Sequence, residues 1–336
     1  MKSVLCEQYG PPETLVIRDV PSPVPGKGQV LVSIHACGVN FPDTLIIENK
    51  YQFKPPLPFA PGGEVAGVVK AVGEGVTRVK VGDAVMGFPG WGGYAEEVLC
   101  EQSRVVPLPA GVSLVEAAAL NTTYGTTYHA LKDRAYIQPG ETLLVLGAAG
   151  GTGLSAVELG KVMGAKVIAA ASTDDKLALC RAHGADETIN YATEDLRERI
   201  KAITNGRGVD VVYDPVGGGY SEPALRSMAW RGRFLVIGFT AGEIPKLPLN
   251  LALLKGCSIV GVFYGGSAQQ EPERYQANLA ELLELFRSGR VRPYVSATFP
   301  LERSAEALQV IARREAKGKI VIVTDAGRAA LAGSGT

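Results

Sequence analysis

Gly147-Ala148-Ala149-Gly150-Gly151-Thr152-Gly153 follows directly on an apolar run, Thr142-Leu143-Leu144-Val145-Leu146, and leads into an amphipathic pattern over 154–162. That order is strand, glycine turn, helix. Glycines permit the tight turn and let the backbone approach a pyrophosphate, whose charge is favoured at a helix N-terminus. A glycine pattern alone is equally compatible with a structural turn. The context strengthens it, because a second apolar run over 166–171 follows one helix later, as a βαβ unit requires.

Working outward, further short apolar runs lie at 187–189, 209–214, 233–238 and 258–264, with helical patterns at 174–183, 194–204 and 221–230 between most of them. Six strands in such a series predict an α/β architecture with a doubly wound parallel sheet. The first 120 residues read differently. Apolar runs at 30–34, 64–72 and 84–86 alternate with Pro- and Gly-rich clusters at 21–28, 55–63 and 87–93. An irregular, β-barrel-like domain is expected there. The tail predicts helices over 274–288 and 301–317, then a last strand at 319–323 that rejoins the first domain. Residues 327–336 are small and polar enough to be disordered.

The chain has 336 residues, long enough for two cores, and its 46% hydrophobic and 20% charged content is that of a globular protein. Its 34 basic and 34 acidic residues cancel, so no global field favours nucleic acid or an anionic membrane. No segment reaches the roughly 18 apolar residues of a bilayer span. The start, MKSVLCEQYG, lacks the apolar stretch of a secretory signal, so a cytoplasmic protein is expected. Cys6, Cys37, Cys100, Cys180 and Cys257 form no Cys-x-x-Cys pair, and His35, His129 and His183 are equally dispersed. Packing explains them better than metal binding or disulfides.

Several motifs together resemble the medium-chain dehydrogenase/reductase superfamily over nearly the whole length. They are Gly62-Gly63-Glu64-Val65-Ala66-Gly67 with Val68-Val69, then Val81-Gly82-Asp83-Ala84-Val85. Asn40-Phe41-Pro42-Asp43 and the Gly147–Gly153 turn resemble its zinc-independent quinone oxidoreductase branch more narrowly. The resemblance implies a Rossmann cofactor domain over 123–266 and a GroES-like catalytic domain made of 1–122 with 267–336. Zinc-containing relatives carry a cysteine where this chain has Asn40, a histidine where it has Gly63, and a four-cysteine loop absent between Met86 and Gly93. Neither Asn nor Gly replaces thiolate or imidazole as a zinc ligand. Without a Lewis acid an alkoxide is hard to stabilise, which disfavours alcohol oxidation. Quinones and α,β-unsaturated carbonyls remain, because conjugation takes up the charge that follows hydride.

For the coenzyme, the acid that bonds a ribose 2′-OH at the end of the second strand in NAD-specific folds is missing. The strand ends in Ala169-Ala170-Ala171, followed by Ser172, Thr173, Asp174, Asp175 and Lys176. Asp174 reads as a helix cap. Ser172 and Lys176 suit a 2′-phosphate, although Lys176 is equally compatible with a solvated helix face. The resemblance implies NADPH, with Lys176, Tyr191 and Arg314 on that phosphate and Gly150, Gly151, Thr152 and Gly153 at the pyrophosphate. It also implies that Thr126 and Phe239 border the nicotinamide and that Gly217 and Phe263 belong to the coenzyme site. Asp174 and Asp175 would oppose a phosphate if they pointed inward.

Asn40 and Asp43 occupy the vestige of the metal site, and Tyr51 matches a pocket tyrosine able to donate to a developing enolate or hydroquinone oxygen. As plain residues, Asn40 and Asp43 also suit a turn, Tyr51 loop packing and Thr126 a helix cap. Leu45 stands where some relatives carry a second tyrosine. A small-molecule quinone or enone is the expected substrate. An enoyl thioester is the alternative, with Arg287, Arg290 and Arg292 as candidates for its phosphates, and a non-catalytic coenzyme-binding protein is the third reading. The resemblance further implies a homodimer through the edge strand from Ser258 to Tyr264.

Overall fold

The computed structural model describes residues 1–333. The chain divides into two units, Met1–Thr122 with Pro293–Thr336, and Thr123–Arg292. The second break therefore lies at 293 and not at 267. The helix Pro272–Arg287 belongs to the second unit because its Asn278 is tied there. Asn278 Nδ2 donates to Asp133 at 2.6 Å and its Oδ1 accepts from Lys132 at 3.1 Å.

The first unit opens with a hairpin of β1 (Lys2–Leu5) and β2 (Val16–Asp19). It continues with β3 (Gln29–Val39), β4 (Val65–Val72), β5 (Ala84–Gly87), β6 (Glu97–Glu101) and β7 (Val105–Pro107). The long strand β3 buries nearly every second side chain and more, since β4 pairs along one edge and β6 and a returning strand share the other. A short helix, Phe41–Ile46, leaves its end.

The second unit contains β8 (Thr142–Leu146), β9 (Lys166–Ala171), β10 (Glu187–Asn190), β11 (Val209–Asp214), β12 (Met228–Val236) and β13 (Ser258–Gly261). All are parallel, in the order β10-β9-β8-β11-β12-β13. The reversal of direction beside β8 is the doubly wound pattern, which puts ligands at the carboxyl ends of the strands. Leu143, Leu144, Val145 and Leu146 are fully buried, each contributing roughly 1.5–3 kcal/mol.

The chain then returns to the first unit as β14 (Val295–Pro300) and β15 (Lys319–Val323). They complete a seven-stranded sheet ordered β14-β15-β3-β4-β5-β7, with β6 also on β3. Several boundaries differ from the sequence pattern, three of them with a clear physical reason. The helix expected over 221–230 is Ser221–Arg226, because Met228 onward pairs with β11. The 301–317 pattern yields a 3-10 turn and a helix ending at Ala312, after which Arg314 takes a left-handed φ of 59° and redirects the chain into β15. The expected disorder from 327 gives way to a helix, Asp325–Gly333; residues 334–336 lie outside the described part. A Cβ on Gly327 would stand 2.0 Å from the His35 carbonyl oxygen, so glycine lets this helix lie directly on β3. Among the described residues no helix is long and apolar enough to cross a membrane.

Candidate functional site

In the first unit the site grows from the end of β3. Asn40 caps the helix Phe41–Ile46, and Asp43, one turn on, accepts the Asn40 main-chain N–H at 2.8 Å. Asp43 also accepts from the Gly62 N–H and from the Tyr94 hydroxyl, both at 3.3 Å. Burial drives its carboxyl up from 3.8 to about 6, against the pull of these donors and of Lys319. Tyr94 is fully buried, and burial with the Asp43 charge raises its phenol well above the usual value.

Asn40 itself faces inward. Its Nδ2 donates to Gly38 O at 3.2 Å and to Glu64 Oε2 at 3.1 Å, and its Oδ1 accepts from Lys319 Nζ at 2.6 Å. Lys319 also donates to Val39 O at 3.0 Å and lies 3.5 Å from Glu64, whose other oxygen accepts from the Thr122 N–H at 2.9 Å. Lys319 is 3% exposed and Glu64 is 0% exposed. A buried pair is tolerated only when its remaining hydrogen-bonding capacity is met, as here. The amide hydrogens of Asn40 are thus engaged within this network, which gives the residue a positioning role. Tyr51 is half-buried, edge-on to Phe53 at 5.8 Å, and packs on the same core as Tyr94. Burial first, then the Asp43 charge, raises its phenol, so it keeps its proton.

Arg314 also belongs to the first unit, exposed at its left-handed turn. Glu64 was legible as part of a motif, but Lys319 carried no signal. A lysine at the start of a strand ordinarily reads as a solvated end.

In the second unit Gly147 leaves β8 with a positive φ of 59°. Gly150 caps the helix Gly151–Val162. A Cβ on Gly153 would sit 2.2 Å from the Gly147 carbonyl oxygen. The turn therefore demands glycine there, and it leaves the first-turn amides of Gly151, Thr152 and Gly153 without intrahelical acceptors. This is the donor set that suits a pyrophosphate. Thr126 begins a three-residue α-helix flanked by π-helical turns. It is its neighbour Thr127 that is buried, with its hydroxyl 2.7 Å from Ser155 Oγ and 2.9 Å from the Tyr213 hydroxyl.

Beyond β9, Ser172 is half-buried and Thr173 takes the N-cap position, so Asp174 is the first helical residue and not the cap. Asp174 Oδ1 accepts from Asn190 Nδ2 at 2.8 Å, and the Thr173 hydroxyl donates to Asp175. Lys176 lies in the first turn of the same helix. Tyr191, next to Asn190, packs against Tyr220 with ring centroids 4.3 Å apart. After β11, buried Asp214 accepts from the Val216 and Gly217 N–H groups at 2.8 and 2.9 Å and from the Ser221 hydroxyl at 2.6 Å. Gly217 has a φ of 71°, and a Cβ there would meet the Phe239 ring at 2.9 Å. The structure thereby brings Gly217 and Phe239 together. Phe263 is 53% exposed and precedes a helix, Tyr264–Gln270, so the edge strand is shorter than 258–264. Arg287 is held by Glu284 at 2.7 and 2.8 Å, which weakens it as a free phosphate ligand.

Comparison with known proteins gives a consistent picture. The profile of the alcohol dehydrogenase GroES-like domain matches residues 26–110, and that of the zinc-binding dehydrogenase family matches 151–284. The chain is 42% identical over 327 residues to the quinone oxidoreductase-like protein 2 homolog of Nematostella vectensis, covering 96% of this chain and 89% of that one. It is 34% identical to human quinone oxidoreductase, covering 96% and 98%. The crystal structure of Escherichia coli quinone oxidoreductase complexed with NADPH superposes with a TM-score of 0.89 at 32% identity, covering 96% of this chain and all of that one.

Proposed function

Since the chain belongs to the quinone oxidoreductase-like branch of the medium-chain dehydrogenase/reductase superfamily, we propose that it reduces quinones or α,β-unsaturated carbonyls without a metal. Its coenzyme is NADPH, which supplies the hydride when bound. The observation that carries the metal-free reading is the donor set around Asn40. Lys319, Glu64 and Asn40 satisfy one another in the interior, with glycine at position 63. Among the described residues no group of His, Cys, Asp or Glu is placed to hold a metal ion.

In this reading the first-turn amides of Gly151, Thr152 and Gly153 hold the pyrophosphate, Gly150 shaping the turn. Ser172, Lys176 and Tyr191 recognise the 2′-phosphate, while Thr126, Gly217, Phe239 and Phe263 line the coenzyme site. Tyr51, kept protonated by burial, donates to the acceptor oxygen as charge develops there. Asp43 and Asn40 position the turn that carries the site. Turnover of NADPH with 1,4-benzoquinone should proceed at the same rate after exhaustive chelation. A rate that falls with chelator and returns with zinc sinks the metal-free reading.

The expected homodimer has support in the surface beside β13. This strand ends the six-stranded sheet, and Trp230, Leu249, Leu253 and Leu254 nearby are between 70% and 79% exposed. Apolar groups flanking an open sheet edge favour pairing with a second copy. Light scattering should give twice the chain mass, reduced by Leu253→Asp with Leu254→Asp; a wild-type monomer at micromolar concentration contradicts it.

A further inference from the structure

Three hydroxyls from three elements of the second unit meet beside the glycine turn. Thr127 belongs to the short helix Thr126–Tyr128, Ser155 to the helix Gly151–Val162, and Tyr213 to β11, in register with Val145 of β8. All three are fully buried. Their protons run one way. Ser155 Oγ donates to the Thr152 carbonyl oxygen at 2.9 Å, with Thr123 O as a second carbonyl at 3.2 Å. A carbonyl can only accept, and a hydroxyl has one proton. The 2.7 Å bond between Ser155 and Thr127 therefore takes its proton from Thr127, whose other option, Thr152 O, lies at 3.4 Å. The 2.9 Å bond between Thr127 and Tyr213 then takes its proton from the phenol. Burial raises the Tyr213 phenol, so that proton is held.

A serine bonding back within its own helix is common. Here two hydroxyls from other elements feed it, and each donation strengthens the next. The oxygen at the end of this chain matters for what shares its peptide plane. Thr152 C=O and Gly153 N–H form one rigid trans unit and point in opposite directions. First-turn planes are the least constrained of a helix, because their N–H groups lack intrahelical acceptors, and Gly153 has no side chain to fix its own. Holding the Thr152 oxygen from the interior aims the Gly153 N–H at the start of the helix. We propose that Tyr213, Thr127 and Ser155 are positioning residues for the coenzyme, fixing the Gly153 N–H for the pyrophosphate from behind. This rests on the first-turn amides holding that group, and it extends the site to three side chains that act through the main chain.

The test compares 2′-phospho-ADP-ribose, which carries the pyrophosphate, with adenosine 2′-phosphate, which does not. Calorimetry gives their dissociation constants, and coenzyme fluorescence gives that of NADPH. Two substitutions at one position separate hydroxyl from shape. Thr127→Val keeps the branched shape and loses the hydroxyl, whereas Thr127→Ser keeps the hydroxyl and loses a methyl group. Thr127→Val should weaken NADPH and 2′-phospho-ADP-ribose about tenfold and leave adenosine 2′-phosphate within about twofold. Thr127→Ser should bind all three within about threefold of wild type. Tyr213→Phe removes only the first donor and leaves Thr127 donating to Ser155. It should show the same ligand pattern at about threefold, which keeps the inference open to refutation if Thr127→Val does not fold. Unchanged binding in the folded variants, or a loss shared equally by adenosine 2′-phosphate, overturns the inference. The pyrophosphate reading survives that result as long as wild type prefers 2′-phospho-ADP-ribose. A wild type that binds the two ligands equally overturns both.

Discussion

At the end of β3 the polar turn Asn40–Asp43 is buried, whereas at the end of β9 the polar turn Ser172–Lys176 is half open to solvent. The first recruits partners from far along the chain: Glu64, Tyr94 and, 279 residues away, Lys319. The second makes one local bond, the Thr173 hydroxyl to Asp175, and one to the adjacent strand, Asn190 Nδ2 to Asp174. A buried polar group carries a large desolvation cost if it loses its partner, while an exposed one turns to water. Substitutions in the first turn should therefore register mainly as stability, and those in the second mainly as coenzyme affinity.

The sharpest attempt to break that contrast is Lys319→Met. It leaves the fully buried Glu64 without its cationic partner beside Asn40, and about 3–5 kcal/mol of unfolding free energy should be lost in denaturant titration. Adding Glu64→Gln should recover a large part of it. If Lys319→Met unfolds at the wild-type midpoint, the buried network is not what holds this turn.

Next in size is a pH effect at Asp43. Its folded carboxyl titrates at about 6 against 3.8 when unexposed to the fold. The native state thus binds the proton more tightly, so Asp43 contributes stability at low pH that is lost as pH rises through about 6. Wild type should lose about 2–3 kcal/mol relative to Asp43→Asn between pH 4 and pH 7. A stability difference that stays flat over this interval would contradict the raised carboxyl.

The smallest effect belongs to the exposed turn. Lys176→Ala should leave the unfolding midpoint unchanged and weaken NADPH about fivefold, with NADH nearly unaffected. The loss should shrink at high ionic strength, because a half-buried cation on a turn open to solvent is still screened. A loss shared by both coenzymes would move Lys176 from the phosphate to the helix.

The turns of the two units were also unequally legible. Gly147 to Gly153 declares itself because its constraint is local: each glycine answers a backbone demand within a few residues, as the 2.2 Å approach of a Gly153 Cβ to Gly147 O makes plain. The βαβ spacing that follows is equally local. Asn40 read as the vestige of a metal site or as a turn residue, because the motif around it says nothing of Lys319. The tail misled for a related reason. Its small residues suggested disorder, yet Gly327 is small because the helix Asp325–Gly333 lies on β3. The helix pattern past Ala312 overran because periodicity does not register the left-handed turn at Arg314.

The order of strands and helices, the glycine turn and the residue types available for a phosphate are properties of contiguous sequence, set by backbone sterics and by periodicity. Which polar groups meet in the interior is not. Lys319 bonds Asn40 because β15 returns antiparallel to β3 with Ile320 opposite Val39, and Asn190 meets Asp174 because β10 lies in register with β9. Strand register decides these encounters, and register comes from the packing of whole sheets. Only the tertiary structure could show that Asn40 faces inward and that Asp174 meets Asn190.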